Sequence, residues 1–212
     1  MNNSVLNNFG DKDGETVYTS LDNDRVFEII NHWETLTYKP IVIAFDLNRT
    51  LWPFKIEKVT KPITKKQSTA FKKPIITDAT GKEFEPFAHV NLILSTLKKK
   101  CLGDNQYLAI ASTSAYHDRS MECIEAFEWL SLMSSIQIYR ESKDKHMKAI
   151  KHELGISDLS EVLFFDDKME NYVTTTPLGV TTYLVKREHG LTVSAICEGL
   201  TEFDNNMKKR NE

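Results

Sequence analysis

Five short, largely apolar runs, rich in β-branched and aromatic residues, restrict how this chain can fold more than any other feature: IVIAFD (41–46), YLAIAS (107–112), SIQIY (135–139), EVLFFDD (161–167) and VTTYLV (180–185). Runs of this length with little polar alternation predict strands buried on both faces, as in a parallel sheet covered by helices. Apolar residues at helical spacing predict helices between them at about 86–100, 118–132, 142–154 and 190–204. The third is opened by Ser142 and closed by Gly155 as a cap pair. Strand and helix in alternation predict a doubly wound, Rossmann-like α/β domain over 39–205, with a parallel sheet and helices on both faces.

With 212 residues, 41% of them hydrophobic, the chain can build one substantial core plus an appendage. Residues 1–20 are polar and read as a disordered tail, and 206–212 as a second tail. Between the first tail and the domain, Val26, Phe27, Ile30, Trp33 and Leu36 recur at helical spacing. They predict an N-terminal helical extension over 21–38, its helix at 22–37, with Asp22 or Asn23 as N-cap. Its apolar stripe packs on the domain or, in the sharper alternative, docks a protein partner. Residues 52–84 are too long for an ordinary strand-to-helix connection and carry Pro53, Pro62, Pro74 and Gly81. They predict a flap or hairpin over the end of the first strand, with no large cap domain.

Charge excludes several classes of function. Lys and Arg total 27 against 30 for Asp and Glu, so no global basic field points to nucleic acid or to an anionic membrane. The flap holds the one local excess, Lys55, Lys58, Lys61, Lys65, Lys66, Lys72 and Lys73. A solvated loop is the plain reading, and a phosphate-seeking or acidic-partner surface the sharper one. No apolar run approaches the roughly 20 residues that span a bilayer, and MNNSVLNNFGDKDGE has no basic and then apolar leader. Cys101, Cys123 and Cys197 lack metal-ligand spacing and read as reduced thiols of an intracellular protein, cytoplasmic or nuclear. The six histidines share no metal-like spacing with carboxylates or cysteines.

Ligands of open α/β sheets bind outside the carboxyl ends of the strands, so the polar residues that end each run are the candidates. The first run ends at Asp46, followed by Leu47-Asn48-Arg49-Thr50. The second ends at Ser112-Thr113-Ser114 and the fourth at Asp166-Asp167, while Lys143 stands in the first turn of the helix after the third. Alone, each has a plainer structural reading, such as a cap, a turn residue or a solvated lysine. Together they make a phosphate site. Asp46 supplies a nucleophile, and Lys143 positive charge. Ser112 donates to a phosphoryl oxygen, and carboxylates at Asp46, Asp167 and Asp166, with the backbone carbonyl of Asn48, suit Mg²⁺. The one missing part is a proton donor.

The motifs FDLNRTLWPF (45–54), IASTS (110–114), ESK (141–143), FFDDKMEN (164–171) and LGVTTYLV (178–185) resemble, in that order, those of the haloacid dehalogenase superfamily. Within it the chain is similar to the magnesium-dependent phosphatase-1 family, over about residues 40–205. The resemblance implies a Mg²⁺-dependent phosphomonoesterase that forms an aspartyl-phosphate on Asp46. Ser112 and Lys143 would bind the phosphoryl group, and Asp167 would be the far metal ligand with Asp166 in support. It also implies a site open to phosphorylated small molecules or phosphoproteins.

Three departures stand out. Asn48 occupies the place of the family's general acid–base Asp, and an amide cannot exchange a proton near neutral pH. Thr113 replaces a common arginine, and Arg49 replaces an aromatic residue, adding positive charge at the mouth of the site. Two functions are therefore expected in competition: a phosphatase impaired at Asn48, or a pseudophosphatase that binds phosphate or a protein partner. A nucleic-acid surface on the flap is the weaker third reading.

Overall fold

The computed structural model describes residues 19–67 and 74–212; of the expected tail over 1–20, residues 1–18 lie outside them, as do flap residues Lys72 and Lys73, while Thr19 and Ser20 open a helix rather than belonging to a tail. In chain order the elements are α1 (Ser20–Thr35), β1 (Val42–Phe45), β2 (Thr64–Gln67), β3 (Pro74–Thr77), β4 (Glu83–Phe84), α2 (Val90–Thr96), β5 (Tyr107–Ser112), α3 (His117–Ala126), β6 (Ser135–Ile138), α4 (Lys143–Leu154), β7 (Val162–Asp166), α5 (Met169–Thr175), β8 (Thr181–Leu184) and α6 (Val193–Asn211). The five apolar runs form one parallel sheet in the order β6-β5-β1-β7-β8. The doubly wound α/β fold is thus as expected, with β1 at its centre.

Alternation along the strands splits the core in two. Ile43 and Phe45 of β1, with Leu108, Ile110, Leu163 and Phe165, face α1, α2, α3 and α6. Val42 and Ala44, with Ala109, Ala111 and Phe164, face Met147 and Ile150 of α4. Three alanines on that second face let α4 lie close to the strand ends, which later proves decisive for Lys143.

The N-terminal helix starts earlier than expected. Its N-cap is Thr19, and Asp22 takes the third helical position of a capping box, Asp22 N–H donating to Thr19 Oγ1 at 3.1 Å and Thr19 N–H to Asp22 Oδ2 at 3.3 Å. A box satisfies two free N–H groups where Asp22 or Asn23 as N-cap would satisfy fewer. The helix packs on α2 and α6 and buries Ile29 and Trp33. Of the expected stripe, Trp33 and Leu36 are thus covered by the domain, while Phe27 remains 52% exposed. At the other end, α6 runs through the segment expected as a tail from residue 206. Asp204 accepts from Tyr38 N–H at 2.8 Å, and Arg210 donates to the Gly179 carbonyl at 2.7 Å, so tertiary contacts hold a polar sequence helical.

The flap over 52–84 is a three-stranded antiparallel sheet, β2-β3-β4, preceded by a single turn at Ile56–Lys58. Arg119 of α3 stacks on Tyr116 and donates to the carbonyls of Ile56 and Glu57 at 3.4 Å each. Lys61 pairs with Glu122, Lys65 with Glu128, and Lys66 with Glu83. These three lysines pair within the fold while staying 40, 35 and 64% exposed. Among the described residues no helix is long and apolar enough to cross a membrane. Burial pushes the thiols of Cys101 and Cys123 up to about 12 and that of Cys197 up to about 11.

The loop after β8 closes against the turn after β1 at Gly190. This residue has φ +59, and a Cβ there would lie 2.1 Å from Phe87 Cδ2 and 2.7 Å from the Thr50 carbonyl oxygen. Leu191 N–H donates to that same carbonyl at 2.8 Å. Gly190→Ala is expected to lower the unfolding free energy by about 2–4 kcal/mol, overpacking adding to a strained backbone. Gly81→Ala, at φ +82 with no atom of the described residues within 4 Å of the added Cβ, is expected to cost about 1 kcal/mol. Urea denaturation of the two variants checks the difference.

Candidate active site

The site begins where β1 ends. Asp46 N–H donates to the Phe165 carbonyl at 2.9 Å, carrying the parallel pairing with β7 one residue further. The chain then folds back, the Leu47 carbonyl accepting from the N–H groups of Thr50, Leu51 and Trp52 at 3.2, 2.9 and 3.2 Å. Arg49 takes the left-handed conformation, φ +65, that this turn requires. Asn48 locks the turn to the flap: its Oδ1 accepts from Trp52 Nε1 at 2.9 Å and from Ile56 N–H at 3.0 Å. Both partners are donors, so the amide orientation is determined and Nδ2 is the group left for the cleft that Asn48 lines. Trp52 itself is buried, stacked on Phe54 and Trp129 at centroid distances of 5.1 and 5.8 Å.

Lys143, at the first turn of α4, is 1% exposed. Its Nζ donates to Asp46 Oδ1 at 2.6 Å and to the Ala111 carbonyl, and lies 3.3 Å from Asp166 Oδ2. Ser142 occupies the N-cap position as expected, although its hydroxyl bonds the Asp144 side chain and caps no backbone N–H. Ser112 ends β5, 1% exposed. Thr113 lines the cleft, and its hydroxyl donates to the Glu141 carbonyl at 2.9 Å, joining the loops after β5 and β6. Thus Asp46, Lys143, Asp166 and Asp167 converge, while Asn48, Arg49 and Thr113 form part of the rim of a cleft of about 1100 Å³.

Asp46, Asp166 and Asp167 each bring a carboxylate oxygen within 4.8 Å of the others. Both oxygens of Asp166 are committed: Oδ1 accepts from Lys168 N–H and Oδ2 from Asn171 Nδ2, each at 2.8 Å. Asp167 is divided. Its Oδ2 pairs with Arg187 Nε at 2.7 Å, and its Oδ1 is buried without a partner among the described residues. Burial, and then the charge of Asp46, push the Asp166 carboxyl from its ordinary 3.8 up to about 6, and the same two causes raise Asp167. An orphaned buried oxygen inside an over-negative carboxylate cluster fits a divalent cation. Sequence reasoning gave Asn171 no role, although it lies in FFDDKMEN. It also passed over Arg187, since KREHG reads as a solvated turn.

A family model described as acid phosphatase matches residues 38–206. The chain belongs to this acid phosphatase family. It is 27% identical to the human protein named magnesium-dependent phosphatase 1 over 164 residues, 77% of this chain and 87% of that one, which bears out the resemblance drawn from the motifs. The N-terminal part of BF1531 from Bacteroides fragilis, solved as a phosphatase domain complexed with Mg, matches with a TM-score of 0.52 at 14% identity. That match covers 84% of this chain and 43% of the other, and it supports the fold assignment.

The raised carboxyls have a signed consequence. Between pH 3.8 and about 6 the native state binds more protons at Asp166 than the unfolded chain does, so the metal-free protein loses stability as pH rises through that window. A cation that binds the folded cluster offsets this loss, and Mg²⁺ at 100 times its dissociation constant adds about 2.7 kcal/mol. Asp167→Asn is expected to raise the metal-free melting temperature at pH 7, by removing a repelled charge, and to abolish the rise on adding MgCl₂. Thermal unfolding with and without EDTA checks both.

Proposed function

We propose that this acid phosphatase family member is a Mg²⁺-dependent phosphomonoesterase with Asp46 as nucleophile, and that Asn48 limits its rate. The observation that supports the reading is the convergence of Asp46, Lys143, Asp166 and Asp167 at the carboxyl end of the sheet, beside an open cleft. Lys143 holds Asp46 Oδ1 and so orients the carboxylate that attacks phosphorus. Ser112 is the nearby hydroxyl for an equatorial oxygen, and Lys143 offsets negative charge as the bond to Asp46 forms. Asp46, Asp167 and the Asn48 carbonyl would hold Mg²⁺, which supplies charge neutralisation for the approach of one anion to another. The open cleft suits phosphorylated small molecules or phosphoproteins, with Arg49 at its rim.

Asn48 sets the limit. An Asp at this position would accept the Trp52 and Ile56 bonds through one oxygen and turn the other to the cleft, where Asn48 has Nδ2. An NH₂ group donates a hydrogen bond and transfers no proton, so both leaving-group protonation and water activation go unassisted. The same observation favours a second reading, a pseudophosphatase that binds phosphate or a phosphorylated partner without turnover.

Hydrolysis of p-nitrophenyl phosphate and of an alkyl phosphate, with and without Mg²⁺, separates the two. Asn48→Asp is expected to raise the alkyl phosphate rate by about 10²–10⁴ and the aryl rate by less. Asp46→Ala is expected to abolish both. Wild-type turnover of the aryl ester no greater than that of Asp46→Ala would sink the phosphatase reading in favour of the pseudophosphatase.

A further inference from the structure

The oxygens of the carboxylate cluster are distributed in an uneven way. Asp46 has one oxygen on Lys143 Nζ, Asp166 has both on protein donors, and Asp167 has Oδ2 on Arg187 Nε at 2.7 Å with Oδ1 unpartnered among the described residues. No carboxylate of the cluster therefore has two oxygens to give. Lys143 is buried and tied to three acceptors. Arg187 is different: its side chain is 58% exposed while that of Asp167 is 2% exposed. A single donor from a surface loop decides how many oxygens Asp167 presents.

That number matters for the choice of ion. Mg²⁺ demands near-octahedral geometry with few protein oxygens and keeps several waters, whereas Ca²⁺ takes 6–8 oxygens and readily accepts a carboxylate through both. We propose that Arg187 is a positioning residue that makes this centre selective for Mg²⁺ over Ca²⁺ by confining Asp167 to one-oxygen coordination. The inference rests on the metal centre of the proposed function and is independent of turnover. Arg187 lines the cleft and pairs through Nε with Asp167 Oδ2. It acts through Asp167, fixing Oδ1 toward the cluster and withholding Oδ2.

The test is the ratio of the Ca²⁺ to the Mg²⁺ dissociation constant, measured on the full chain by calorimetric titration with each metal alone. Loss of a positive charge near the ion strengthens both divalent cations alike and leaves the ratio unchanged, so the ratio reports geometry. Arg187→Met is expected to lower it by about 10-fold or more, the usual scale for removing a partner of a metal ligand. Arg187→Lys, which keeps a donor, is expected to fall between wild type and Met. Arg187→Ala serves in place of Met should that variant fail to fold. An unchanged ratio in a variant with native metal-free melting overturns the inference, as does a wild-type protein that binds both ions equally. Absent hydrolysis with a shifted ratio removes the phosphatase reading and upholds this one, and intact hydrolysis with an unchanged ratio does the reverse.

Discussion

A buried ammonium group ties the molecule's centre together. Lys143 reaches from α4 across the alanine-lined face to bond Asp46 after β1, the Ala111 carbonyl in β5 and Asp166 at the end of β7, with its Nζ 5.2 Å from the Phe164 ring centroid. Three strands are thus held at their carboxyl ends by one side chain. Burying such charges is tolerable only because each finds several partners. Removing the lysine would leave Asp46 and Asp166 facing one another without compensation, a loss of about 3–5 kcal/mol by the usual measure of broken buried pairs. Larger residues in place of Ala44, Ala109 and Ala111 would lift α4 and carry the ammonium out of reach. The packing of one core and the electrostatics of the site are the same constraint.

The other face carries the flap. Asn48, Trp52 and the stacked rings of Phe54 and Trp129 fix the chain as it leaves β1, and Arg119 secures the next turn through its carbonyl bonds. On the far side Gly190 admits Phe87 and the Thr50 carbonyl at distances no Cβ permits. The turn that presents Asn48 is therefore clamped from the flap and from the loop after β8. That same loop delivers Arg187 to Asp167, so the fit at Gly190 and the pairing of the Asp167 carboxylate belong to one segment.

The central strands β1, β5 and β7 were legible in the sequence because burial on both faces leaves a near-continuous apolar run; the edge strands β6 and β8 are only partly buried, yet each of the five runs contains its strand. Helix limits were less so, since local periodicity does not know about tertiary bonds. The segment expected as a helix over 118–132 stops at Ala126 because Glu128 adopts φ +67 and Trp129 turns in to donate to Asn91 Oδ1 at 2.9 Å. The expected 86–100 helix starts at Val90 and passes into a wider turn over Leu97–Cys101. The seven-residue α5 is short, and its stripe is poorly marked, with Met169 and Val173 exposed. Site residues at strand ends were legible because the sheet gathers them. Arg187 was not, since an arginine in a charged loop carries no sign of the carboxylate it will meet.

Asn48 separates what the fold needs from what the chemistry needs. The scaffold asks this position for one acceptor oxygen, to receive the Trp52 indole and the Ile56 amide, and Asn and Asp supply it equally well. Packing therefore exerts no force against the exchange, and the turn, the flap and the aromatic stack keep their bonds. Only the second terminal atom differs, NH₂ in place of oxygen, and it faces the cleft. On the proposed reading, acid–base chemistry at this position could be lost while these bonds are kept. The carboxylates beneath are bound by a different logic, because they carry charge that Lys143 and Arg187 must balance. A chain under selection for folding alone would be free to change Asn48 and would still be held to Lys143.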